Sequence, residues 1–407
     1  MNKHYFALIC IALLVGCTTT SNVGPQYQSN SGYPLTQNME PFDVSIVVFN
    51  PGLSDQKSYG EDGVWPELRR AESMYMAVQL RDILAKSQAY GAVRVTPDSY
   101  SSSDIYINAT ILKSNGEKVS IGVQATDSSG QNWISKKYSH TVKPIAFNNP
   151  RNKDANGDLQ IDPYKEIYLK INSDILKYMN RRVKPGQADM INTITDIRFA
   201  QNFAPNAFSD ILTKRTVNKA GASYSRYGLN GKPDALDPMM KRIKNIQLRD
   251  QMFIDTMQVH YDGFSSDMTS SYKVWQEQSF GEAVAARAAS SAAFWQGVGA
   301  VIVVAATVAA AGDCDSAACA RNTGAVGGVV AGDILRKSFK NSAEAKVHRD
   351  ALNEIAASID GSLSPSVIEM EDTTVTLTGT VAEQSSQWRS ILQNIYNAEA
   401  EQTKLIL

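Results

Sequence analysis

The chain has 407 residues, 43% hydrophobic and 20% charged, which is apolar material for two or three cores of ordinary size and excludes a single small module. Lys plus Arg number 40 and Asp plus Glu 41, a formal charge of -1, so no global field exists to gather nucleic acid. With only 4 His, far apart in sequence, and 4 Cys, zinc sites and Cys/His catalysis have little to build on.

In chain order, residues 1–16 read as a secretory signal: Lys3 supplies the positive start, and residues 5–15 form an apolar stretch too short to span a membrane. That stretch ends in Leu14-Val15-Gly16-Cys17, which resembles the bacterial lipobox. The resemblance implies that the Cys17 thiol takes a lipid, a multiple acylation that holds the mature N-terminus in a membrane. Thr18 follows where an aspartate would favour inner-membrane retention in the lipoproteins this resembles, so the implied address is the outer membrane. From 17 to 40 the chain is mostly Ser, Thr, Asn, Gln, Gly and Pro and reads as a flexible tether.

Residues 41–145 predict an α+β domain, a mixed sheet with a covering helix. Residues 43–50 are a β-branched run closed by Pro51-Gly52, and Trp65-Pro66-Glu67 opens a helix whose Leu68, Ala71, Met74, Tyr75, Val78, Ile83 and Leu84 form a core-facing stripe. A strand at 92–95 precedes two alternating runs, Ile105, Ile107, Ala109, Ile111 and Val119, Ile121, Val123, Ala125, joined by a Ser114-Asn115-Gly116 turn. A further strand lies around 133–142. The order β-α-β-β-β-β resembles, at the level of fold, the N-terminal domains of the Tol-Pal β-propeller protein and of the curli-secretion lipoprotein group. It implies a place in oligomeric envelope assemblies.

Residues 146–340 read as a helical region. Its first part, Asp154, Asn156 and Asp158 with Gly157 between them, resembles a degenerate calcium loop, and a plain Asp/Asn/Gly turn accounts for the same residues. Asn152 stands where the first carboxylate belongs and Pro163 where the bidentate glutamate belongs, so no metal is assigned. Helices are expected after Asp162-Pro163, around 189–203 and around 207–214, with a loop over 221–238. A long helix then starts near Asp237, and Gly263 is expected to interrupt it.

The region closes on an apolar hairpin, 288–332. Residues 288–312 are uncharged, and as a helix they would measure about 37 Å. Gly324, Gly328 and Gly332 share one helix face, opposite a small face at Ala289, Ala293 and Gly297, so two backbones can approach closely. The pair resembles the glycine-zipper hairpins of certain outer-membrane lipoproteins. Burial inside a soluble domain or oligomer interface, joint insertion of several copies into the membrane, and association with the lipid surface all stay open. Cys314 and Cys319 flank the tip, and in an oxidising compartment they are expected to form a disulfide that pins the turn.

Residues 341–407 predict a small α-β-β-α module. The run Val375-Thr376-Leu377-Thr378-Gly379-Thr380-Val381 resembles the core strand of BON domains, envelope modules associated with phospholipid or partner binding. No nucleophile elbow, zincin helix, P-loop or dinucleotide fingerprint occurs. The whole reads as a non-enzymatic outer-membrane lipoprotein without cofactor, facing the periplasm, a homo-oligomer or a subunit of an envelope complex such as a secretion, pore or appendage scaffold. The alternative is a monomeric adaptor binding lipid or peptidoglycan through the BON-like tail.

Overall fold

The computed structural model describes residues 39–53, 64–219, 222–234, 237–296, 343–359, 363–370 and 373–406. Strand β1 (Val44–Val47) lies between β2 (Val93–Thr96) and β3 (Ile105–Ser114), parallel to both, and β4 (Lys118–Asp127) and β5 (Asn132–Thr141) continue as an antiparallel meander. The sheet order is β2-β1-β3-β4-β5. With α1 (Pro66–Lys86) between β1 and β2, the element order is the expected β-α-β-β-β-β, and the class is α+β.

Local chemistry explains these elements. On β3 the residues Ile105, Ile107, Ala109 and Ile111 are buried at every second position, as a half-buried strand requires. At the β3–β4 turn Gly116 has φ +77°, and a Cβ there would meet the Phe280 backbone nitrogen at 2.5 Å, so only glycine lets this turn rest on the helix that carries Phe280. Helix α1 begins with proline in its first turn beside Glu67 and ends at Lys86. It buries every residue from Ala71 to Val78, because the sheet covers one side and other helices cover the rest.

After a short α2 (Ile145–Asn148), helices α3 (Lys165–Arg182) and α4 (Pro185–Phe203) pack beside the sheet. Two expectations are corrected next. Residues 207–214 are turn and then strand, not helix, and the expected loop over 221–238 holds only for its second half, 230–234 and 237 among the described residues, because β6 (Leu212–Lys219) and β7 (Ala222–Leu229) pair as an antiparallel hairpin. Thr, Val and Tyr suit strands, but neither face of this hairpin is continuously apolar, which hid it. It is held by Leu212 against Ile194 and Ile197, and by Arg198, whose guanidinium lies 4.6 Å from the Tyr227 ring centre.

Helix α5 (Pro238–Gln296) runs 59 residues, about 88 Å, straight through Gly263. The expected break there is also corrected. A glycine costs a helix about 1 kcal/mol, whereas burial of Tyr261, Met268, Tyr272 and Trp275 on the same helix stabilises it by far more. The tail gives α6 (Ala343–Ile359), β8 (Leu363–Met370), β9 (Thr373–Gly379) and α7 (Val381–Ile406). Thr380 and Glu383 cap α7 reciprocally: the Glu383 carboxylate accepts from the Thr380 N–H at 2.7 Å, and Thr380 Oγ1 from the Glu383 N–H at 3.3 Å. One hydrophobic core runs from Phe42 and Val44 through α1, α3 and α5 to Leu352, Leu377, Trp388 and Tyr396.

Candidate functional site

Strands β2 and β3 flank β1 on opposite sides, so residues 97–104 must cross the sheet between them. An irregular backbone buried in this way needs polar partners. The sequence supplies three consecutive serines, 101–103. Ser101 Oγ and Ser103 Oγ each lie 2.7 Å from the buried Ser45 Oγ of β1, and Ser102 Oγ accepts from Gln247 Nε2 of α5 at 2.5 Å. Asp104 closes the crossover. Its Oδ2 accepts the Asp43 N–H at 2.9 Å and its Oδ1 the Thr195 hydroxyl at 2.7 Å. Burial pushes the Asp104 carboxyl up to about 6 against the pull of these hydrogen bonds.

A cleft of about 530 Å³ opens between this crossover, the end of α4, the first third of α5 and the start of α7. Phe199, Phe253, Trp388 and Leu392 line its apolar side, with the Phe253 and Trp388 rings 5.1 Å apart. At the rim Arg389 Nη1 meets Asp98 Oδ2 at 2.9 Å, and its guanidinium sits 4.8 Å from the Tyr100 ring centre. Asp250, 7% exposed, projects from α5 into this wall. Burial pushes its carboxyl up to about 7, opposed by the Trp388 indole N–H and by Arg389, and reinforced by the Asp98 charge. That indole N–H is buried and closes no hydrogen bond of normal geometry among the described residues. A carboxyl poised near neutrality beside aromatic faces can hold or release a proton, or pair with a cation.

A second buried polar cluster sits where α1, α3, α5 and the β3–β4 turn meet. Glu72 Oε1 accepts from Tyr272 OH at 2.7 Å and Ser114 Oγ at 2.5 Å, while Arg69 Nε lies 3.0 Å from Oε2. Tyr164 OH accepts the Gly116 N–H at 2.8 Å, and Asp162 Oδ1 accepts from Gln276 Nε2 at 3.0 Å. This cluster fixes helices to one another and opens onto no cleft described above.

The loop at Asp154, Asn156 and Asp158 is placed as a turn. Asp154 Oδ1 accepts the N–H groups of Asn156 and Asp158, both at 2.9 Å, so the leading carboxylate serves its own backbone. Among the described residues no group of three or more His, Cys, Asp or Glu is arranged to hold a metal. Cys17, the pair Cys314 and Cys319, and Gly297, Gly324, Gly328 and Gly332 lie outside the described residues. What the sequence reading missed is the cleft. Asp98, Asp250 and Arg389 come from three distant segments, and no local pattern joins them in the sequence.

The described end of α5 bears on how the chain is organised. Ala283 is its last buried hydrophobic residue among those described, and Arg287 Nη2 still reaches Glu117 Oε1 at 2.8 Å. Beyond Arg287 the helix continues to Gln296 into the uncharged run, and the chain re-enters at α6, which packs against α5 and α1. Among the described residues no helix is long and apolar enough to cross a membrane. No family model, curated protein or solved structure matches the chain.

Proposed function

We propose that the protein is a non-enzymatic lipoprotein of the outer membrane, anchored through acylated Cys17, that acts as a subunit of an oligomeric envelope assembly. The observation that carries this reading is the course of α5. A helix anchored in the core from Met240 to Ala283 leaves it and leads directly into the uncharged, Gly/Ala-rich segment, and the chain comes back through a helix packed against α5. A Gly/Ala-rich sequence of this kind lets backbones approach closely, which supports association with like segments of other copies. The lipobox-like residues 14–17 supply the membrane, and the disulfide proposed for Cys314 with Cys319 belongs to the same oxidising compartment.

A second reading, a monomeric adaptor, draws support from the cleft, since Ser385, Trp388 and Arg389 of the tail form one of its walls. Labelled fatty acid combined with mass measurement of the detergent-extracted full chain separates the two. Lipid on wild type, none on Cys17→Ala, and a large defined oligomer support the assembly. A lipid-free mature protein refutes the anchor, and an acylated monomer refutes the assembly in favour of the adaptor.

A further inference from the structure

The outer face of α5 carries its charges in two blocks. Lys241, Arg242, Lys244 and Arg249 crowd its beginning, while from 251 to 272 the only formal charges are Asp255, Asp262 and Asp267. The helix dipole does not account for this, because Lys241 closes the first turn and Arg242 follows it, where the dipole disfavours cations. The solvent-facing positions Lys241, Lys244, Leu248, Met252, Asp255, Val259, Asp262 and Ser266 follow one another at spacings of three and four, a single stripe opposite the buried Ile243, Ile246, Ile254, Met257 and Tyr261. In the middle of that stripe Leu248, Met252 and Val259 are 57%, 61% and 70% exposed. Leu248 and Met252 lie between the basic and the acidic block and Val259 lies within the acidic one, so apolar side chains this open on one face form a surface that is complementary to itself under a two-fold rotation.

We propose that two copies of this chain pair antiparallel along the α5 stripe, with the two-fold axis near Met252. Leu248 and Met252 of each copy then pack against one another, and Lys241 and Lys244 of each lie alongside Val259 and Asp262 of the other. A parallel pairing would instead set basic block on basic block. Asp255 and Asp262 already accept from Arg94 and Arg81 within their own chain, yet stay 55% and 56% exposed, and a carboxylate offers about four lone-pair sites, so each has room for a second cation; Lys244 likewise donates to Asp196 at 2.6 Å while 54% exposed, which leaves its ammonium two further donors. The stripe from 241 to 266 is about 38 Å long and about 10 Å wide, so a pair buries on the order of 800 Å² in total, half of a standard interface. Pairing is therefore weak between free molecules and becomes significant when a common membrane raises the effective concentration. In that respect the inference rests on the lipid-anchored assembly reading and names one of its contacts.

The test uses the full acylated chain in native membranes. Met252→Cys, treated with a mild oxidant and read by peptide mapping, should give a disulfide joining the two substituted positions. Ser266→Cys, on the same exposed face but far from the axis, should give at least ten-fold less. Adding Lys241→Glu with Lys244→Glu, or Asp255→Lys with Asp262→Lys, to the Met252→Cys chain should each abolish the product at least ten-fold, and co-expressing these two charge variants should restore it. Melting curves matching the parent establish that the variants are folded. Equal products at 252 and 266, or a yield indifferent to charge reversal, overturns the interface. If the wild-type chain still extracts as an oligomer in that case, only this contact falls. If it extracts as an acylated monomer, the assembly reading falls with it.

Discussion

Replacing Asp250 by asparagine should stabilise the protein in alkaline solution and leave its stability nearly unchanged in acid. The carboxyl is 7% exposed, and burial lifts it from the ordinary 3.8 to about 7 in the folded chain. Because the folded-state pKa lies above the unfolded one, folding favours the protonated form, and ionising the group costs stability. That cost is absent below about pH 4, grows as the pH rises from 4 to 7, and is complete above 7. A shift of roughly three units at about 1.4 kcal/mol each sets an upper limit of about 4 kcal/mol. Asparagine keeps the shape without the charge, and its oxygen can accept from the Trp388 indole N–H. Urea unfolding of both proteins at pH 8, 6 and 4, compared pairwise so that every other titrating group cancels, should show Asp250→Asn ahead by about 1–4 kcal/mol at pH 8 and by under about 0.5 kcal/mol at pH 4. A difference independent of pH, or a loss of stability at pH 8, refutes the assignment of a strained carboxylate to this cleft.

Removing the central acceptor of the α1–α5 cluster should do the reverse. Glu72→Ala leaves Arg69 buried without its partner and strips Tyr272 and Ser114 of their acceptor, a loss of about 3–5 kcal/mol in denaturant unfolding, whereas a change under about 1 kcal/mol would mean that water replaces the carboxylate freely. Gly116→Ala forces a Cβ against the α5 backbone at a positive φ. A loss of about 2–4 kcal/mol is expected by thermal melting, and a neutral result would show that the turn and α5 are not in contact.

The sequence alone determined those elements whose side chains repeat with a clean period. Ile105, Ile107, Ala109 and Ile111 announce β3 because one face of that strand is buried and the other is not, and Asn115-Gly116 announces the turn because few residues adopt its backbone. The α-β-β-α order of the tail follows for the same reason. The β6–β7 hairpin escaped because its residues alternate without a buried face, and the passage of α5 through Gly263 because a local penalty of about 1 kcal/mol says nothing of the tyrosines and tryptophan that the helix buries elsewhere. Periodicity states which face of an element is apolar, but not which other element covers it. Tertiary structure alone decided that Trp388 of the tail packs on Phe253 of α5, that Asp250 is closed off from water between them while Arg389 reaches across to Asp98, and that the stripe from Lys241 to Ser266 is left facing solvent. Those outcomes depend on contacts between residues up to 291 positions apart, whose energies arise only when the chain brings their surfaces together.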